Sequence, residues 1–181
     1  GTGRKYLRGP RGTGFLYASE QMIERLIPDH PDHHGADWTT PSNYVLQPNA
    51  RRFESWEFGH GGWLGLGNAV DEALTIGTER IEATIYERSD SLRKQLRAAG
   101  FTLWDLGARP CGIVTATGDG LDPSTAKLAL RAQDINISVT TPASTRFDAT
   151  NRDLRDMMRI SVHYTTTEAE IRHAVAALTE L

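Results

Sequence analysis

The sequence predicts an α/β fold, and three observations carry that expectation. Short apolar runs alternate with longer amphipathic stretches through the second half of the chain, the pattern of strands interleaved with helices. Residues suited to helix ends stand at the joints: Ser19 and Asp122 precede helical spacing, and Gly77 and Gly100 interrupt it. With 181 residues, 39% hydrophobic and 24% charged, the chain has the size and composition of one globular domain, or of one domain with part of another.

Taken in order, residues 13–18 (TGFLYA) read as a short buried strand. Ser19 then caps a short helix through Leu26, with Glu20 in its first turn, and Pro28 ends it. Residues 28–52, rich in Pro, His, Asp, Asn and Thr, read as a long irregular surface excursion. From Trp63 to Ile76 the spacing is helical, with Leu64, Ala69, Val70, Ala73 and Leu74 expected inward. Gly77 breaks that helix. A second runs from Thr78 to Ala99 with a charged face of Arg80, Glu87, Arg88, Arg93 and Lys94, closed by Gly100 as a left-handed cap. Strands are expected at 101–105, 111–117, 135–140 and 158–163, and helices at 122–133 and from Thr167 to Leu178. No internal repeat or low-complexity tract is present.

Bulk properties exclude several function classes. A net charge of -3 and a pI near 6.1 lack the basic excess that general nucleic-acid binding needs. No run of about 18 apolar residues occurs, so no membrane-spanning helix is expected. Cys111 is the single cysteine, which rules out an internal disulfide and a multi-cysteine metal site. It reads as a packed core thiol, and a reducing cytoplasm is the expected location. The start has neither Met nor an apolar leader, and a dense motif at residue 1 leads us to expect that something precedes it.

That motif, GTGRKYLRGPRGTGFLY, sets Gly1, Gly3, Gly9, Gly12 and Gly14 around Arg4, Lys5, Arg8 and Arg11. Thr2 and Arg4 can donate to an anion, the glycines allow close backbone approach, and Lys5 supplies an amine. The glycine spacing fits neither a Walker loop nor a dinucleotide fingerprint. Two readings of the residues remain: a solvated basic turn, or a lysine beside a phosphate-sized anion site suited to a Schiff base with pyridoxal phosphate.

The segment TGRKYLRGPRGTGFLY resembles the active-lysine segment of the class V aminotransferase and cysteine desulfurase family. RFESWEFGHGGWLGLGNAVDEAL resembles the family's linking helix with the loop before it, and RISVHYTTTEAEIRHAVAAL resembles its closing strand and helix. These matches run in order from Gly1 to Leu181. The resemblance implies the carboxy-terminal half of an aspartate-aminotransferase-type (fold type I) enzyme. Residues 1–60 would end the large cofactor domain and contact a dimer partner, 61–80 would connect, and 81–181 would form the small domain. Lys5 would carry pyridoxal 5'-phosphate and shuttle a proton at the substrate Cα. Thr2 and Arg4, the latter where many relatives have His, would sit at the cofactor phosphate, and Arg159 would bind the substrate carboxylate. The implied partners are an amino-acid substrate, the preceding half of the enzyme, and a second copy in a homodimer.

Within the family, transamination, β-elimination with C–S cleavage and epimerisation remain open, as does a non-catalytic domain that keeps the fold. TGRKYLRGPRGTGFLY with RFESWEF is most similar to isopenicillin N epimerase-like and hercynylcysteine sulfoxide lyase-like members. Residues 138–158 lack the cysteine of the desulfurases, which disfavours a persulfide-forming reaction. Ser144, Thr145 and Arg146 lie where substrate-facing groups are expected, or in a solvated loop. His30, His33 and His34 with Asp29 and Asp32 have metal-like composition, but Pro28 and Pro31 forbid a helix that would align two ligands, so a surface loop and no metal are expected. Trp56, Phe58, His60 and Trp63 read as core or dimer packing, with Glu57 and His60 as candidates for a shared site. Arg51 and Arg52 read as rim charges or an anion contact.

Overall fold

In the computed structural model, which describes residues 1–181, the chain divides into two units, Gly1–Thr75 and Ile76–Leu181. Glycines shape the start of the first. The Gly3 N–H donates to the Thr13 carbonyl at 2.9 Å, that of Phe15 to Gly1 at 3.0 Å, and that of Gly9 to Gly3 at 2.8 Å. A Cβ on Gly14 would stand 2.6 Å from the Gly1 oxygen, so the loop closes only over bare backbone there. The buried strand expected at 13–18 is not formed. Gly14 makes a single bridge to Thr2, and Phe15, Leu16 and Tyr17 are exposed. No strand of this unit lies alongside the run to take its hydrogen bonds.

Helix α1 (Glu20–Arg25) starts at Ser19, whose hydroxyl accepts the Met22 N–H. The excursion that follows is not irregular throughout. Ala36–Thr40 (β1) and Asn43–Leu46 (β2) form an antiparallel hairpin with Trp38 opposite Tyr44, and Ala50–Phe53 makes a 3₁₀ turn. β-Branched and aromatic residues on either side of Pro41 and Ser42 account for it. The Asp32 carboxylate anchors the loop, accepting the N–H groups of Trp56 at 2.7 Å and His34 at 2.8 Å. Helix α2 (His60–Ile76) buries Leu66 and Ala73. Leu64 and Leu74, expected inward, are exposed, because the covered stripe runs through Gly62, Leu66, Ala69, Val70 and Ala73 at helical spacing.

The second unit opens with α3 (Thr78–Ala98), set off by Gly77 at φ 94° and closed by Gly100 at φ 89°. Its sheet has four strands: β3 (Thr102–Leu103), β4 (Ile113–Thr117), β5 (Ser138–Thr140) and β6 (Met157–Ser161). They are antiparallel in the order β3-β4-β6-β5. Strand alternation sends Val114, Ala116, Met158 and Ile160 into the core. There they meet Leu92 and Leu96 of α3, Leu130 of α4 (Pro123–Arg131), and Ile171 and Leu178 of α6 (Glu168–Thr179). Ile113, Thr115, Met157 and Arg159 are left on the opposite face. Asp122 caps α4 through the Thr125 N–H at 2.7 Å, and Thr167 with Glu170 forms a capping box on α6.

Two expectations about helices fail in this unit. Arg93 is not on a solvated charged face but 5% exposed, since it lies on the same stripe of α3 as Ser89, Leu92 and Leu96. The stretch before β6 is not a plain loop: it holds a 3₁₀ turn, Pro142–Thr145, and a seven-residue helix α5, Arg146–Arg152.

Candidate functional site

The opening loop presents three donors in four residues. Thr2, Arg4 and Lys5 are all exposed, and none of their side chains makes a hydrogen bond or ion pair within the chain. Lys5 begins a tight turn in which its carbonyl accepts the Arg8 N–H at 2.9 Å, with Arg8 at φ 57°. Arg8 reaches Glu72 of α2 at 3.2 Å. The N–H groups of Gly3 and Gly9 are spent inside the loop. An anion here would therefore meet the hydroxyl of Thr2 and the guanidinium of Arg4, not those two amides. The glycines hold the loop's shape.

Arg159 lines an open cleft of about 600 Å³ within the second unit. The register sets it on β6 opposite Thr115 on one side and Ser138 on the other. Arg159 is half-buried, and its guanidinium makes no hydrogen bond or ion pair. Ser144 and Thr145 line the same cleft; Arg146 does not. Cys111 also lines it and is exposed. The expected core thiol is thus a surface one, because Cys111 precedes β4 and only residues within that strand alternate into the core.

Two arginines fix the cleft walls. The buried Arg93 reaches Asp105 at 2.7 Å and donates to the carbonyl of Cys111 at 2.7 Å and of Ile113 at 3.2 Å. Arg152 donates to Asp148 at 2.9 Å and to the Trp104 carbonyl at 2.7 Å, joining α5 to the segment after β3. Asp105, Asp148 and Arg152 line the cleft but escaped the sequence reading. For Asp148 and Arg152 the i, i+4 spacing was a usable signal; for Asp105 nothing local marks it.

The other candidates separate. Asp29, His30, Asp32 and His33 line a shallow recess with Trp38 and Tyr44, while His34 is engaged by Glu54 at 2.8 Å and Arg51 at 3.2 Å. No group of three His, Cys, Asp or Glu side chains is placed to hold a metal ion. Arg52 is committed to the carbonyls of Gln47 and Ile23, both at 2.7 Å, which makes it a strut and not a rim charge. Trp56, Phe58 and Trp63 are exposed, so they are not core; His60 stacks on Phe58 with ring centroids 4.5 Å apart, and Glu57 is exposed.

Comparison with known proteins agrees with this architecture. The chain is 30% identical over 132 residues to a Mycobacterium tuberculosis protein named a probable hercynylcysteine sulfoxide lyase, covering 72% of this chain and 31% of that protein. It is 25% identical over 185 residues to a probable cysteine desulfurase of Methanothermobacter thermautotrophicus, covering 99% of this chain and 46% of the relative. The solved cysteine desulfurase of Thermococcus onnurineus shares the fold with a TM-score of 0.86 at 20% identity, over 99% of this chain and 45% of that one. The chain thus spans less than half the length of each. Residues 2–173 match the family described as aminotransferase class-V. By that match, and by a fold shared along its length, the chain belongs to the aminotransferase class-V family.

Proposed function

We propose that this chain is the carboxy-terminal part of a pyridoxal-phosphate enzyme that breaks a bond at the Cα or Cβ of an amino-acid substrate, by transamination or by β-elimination with C–S cleavage. The observation that carries the reading is the unpaired triad Thr2, Arg4 and Lys5 on a loop pinned by its own backbone. Two donors for a phosphate and one amine for an aldehyde suit the phosphate and aldehyde ends of this cofactor, so the residues present fit it. When bound, pyridoxal phosphate supplies an electron sink that labilises bonds at Cα.

Each residue then has a task. Lys5 would hold the cofactor through Nζ, and its freed amine would move the substrate's Cα proton between Cα and the cofactor in transamination, or pass it to the leaving group in elimination. Thr2 and Arg4 hold the phosphate end. Arg159 offers a planar fork to the substrate carboxylate, with nothing in its own chain competing for it. Homodimer assembly and action in the cytoplasm belong to the same proposal. No helix is long and apolar enough to cross a membrane.

A sulfur-transfer reaction is the second reading, and Cys111 favours it. The thiol is exposed in the cleft that Arg159 lines, and one relative is named a cysteine desulfurase. The test is to assay the full-length, cofactor-loaded enzyme with sulfur-containing amino acids. Pyruvate with a released sulfur species supports elimination, and a new amino acid formed from a 2-oxo acid supports transamination. Alanine formation that Cys111→Ser abolishes supports sulfur transfer. Racemisation alone, or turnover surviving Lys5→Ala at the native rate, contradicts the proposal.

A further inference from the structure

Four charged side chains line the Arg159 cleft: Asp105, Asp148, Arg152 and Arg159. Asp105 is neutralised by the buried Arg93 at 2.7 Å. Asp148 is neutralised by Arg152 at 2.9 Å, and the second nitrogen of Arg152 is held by the Trp104 carbonyl at 2.7 Å. Arg159 alone has no partner. The cleft therefore carries one uncompensated charge, and it is positive.

We propose that Arg152 is a positioning residue that makes this cleft selective for anions. By cancelling Asp148 it leaves the guanidinium of Arg159 as the only field a bound carboxylate meets. The inference rests on the reading of Arg159 as the carboxylate-binding group. Side-chain exposure sharpens it: Arg152 is 24% exposed and Asp148 51% exposed. Water therefore already screens the carboxylate partly, and Arg152, with one nitrogen on Asp148 and the other on the Trp104 carbonyl, matters more for placing the charge than for holding the helix. Without Arg152, an unpaired carboxylate would face the site and oppose Arg159.

The test uses the full-length, cofactor-loaded enzyme and two competitive inhibitors, propionate and its neutral isostere propionamide. Arg152→Met is expected to weaken propionate inhibition about fivefold at low salt, and less at high salt, while leaving propionamide unchanged. Arg152→Lys, which keeps the charge, and the double variant Arg152→Met/Asp148→Asn, which removes both charges, are expected to stay within about twofold of the native value. A packing role would weaken both inhibitors alike and would not be rescued by the double variant; either result overturns the proposal. If Arg159→Gln weakens propionate and Arg152→Met does not, this proposal fails alone. If Arg159→Gln has no effect, the reading of Arg159 fails and this proposal with it.

Discussion

At the scale of single residues, the proposed chemistry falls to side chains left without partners. The exposed Lys5 and Arg4 and the half-buried Arg159 make no hydrogen bond or ion pair in the chain, whereas the other buried or half-buried arginines, Arg52, Arg88, Arg93 and Arg152, are committed. An unpaired guanidinium on a half-buried residue is costly to keep where water does not reach it, unless something else comes to it. Replacing Arg159 by Gln is expected to raise KM for an amino-acid substrate by about 10- to 100-fold, the worth of a charge-assisted pair, in steady-state assays of the full-length enzyme. Thr2, Arg4 and Lys5 could be proposed from the sequence because they fall within four residues, so no folding was needed to bring them together. Ser144 and Thr145 were legible by position only. Asp105 and the exposure of Cys111 were not, since both depend on where β4 begins within the sheet.

At the scale of elements, ends were read better than pairings. Ser19, Asp122, Gly77 and Gly100 mark boundaries through local hydrogen bonds or backbone sterics, and the structure uses all four. The hairpin β1–β2 was hidden inside a stretch whose Pro, His and Asp content outweighed its aromatic and β-branched residues. The opposite error befell residues 13–18, where an apolar run lacks a neighbouring strand. Gly100→Ala, which forces a side chain into φ 89°, is expected to destabilise by about 1 kcal/mol in urea unfolding. Glu168, in the first turn of α6, is held by Arg88 at 2.9 Å and Ser91 at 2.9 Å. The hydrogen bond from Arg88 is the main cause that lowers its pKa below the usual 4.5. Its contribution is therefore complete above 4.5 and lost as pH falls below that value through the folded-state pKa. Glu168→Gln is expected to flatten the decline of stability with acid in that window, as read by urea midpoints from pH 6 down to pH 3 or so. An unchanged slope would show that the pair does not stabilise the native state.

At the scale of the whole molecule, the two units differ in kind. The second has a closed core in which Leu96, Leu130 and Met158 are fully buried; Leu96→Ala is expected to cost about 2–5 kcal/mol by leaving a cavity between α3 and the sheet. The first has few buried apolar side chains and many exposed ones, among them Tyr17, Trp38, Trp56 and Leu64. Its order comes from backbone contacts between glycines, from the Asp32 carboxylate and from Arg52, so its polar struts matter more than its packing. This is the unit that presents Lys5. The account depends on that amine, and borohydride reduction of the full-length, cofactor-loaded enzyme followed by peptide mass spectrometry tests it most directly. The expected result is a pyridoxyl group on Lys5, absent after Lys5→Ala. A stable pyridoxyl adduct on another lysine, with Lys5 unmodified, would contradict it.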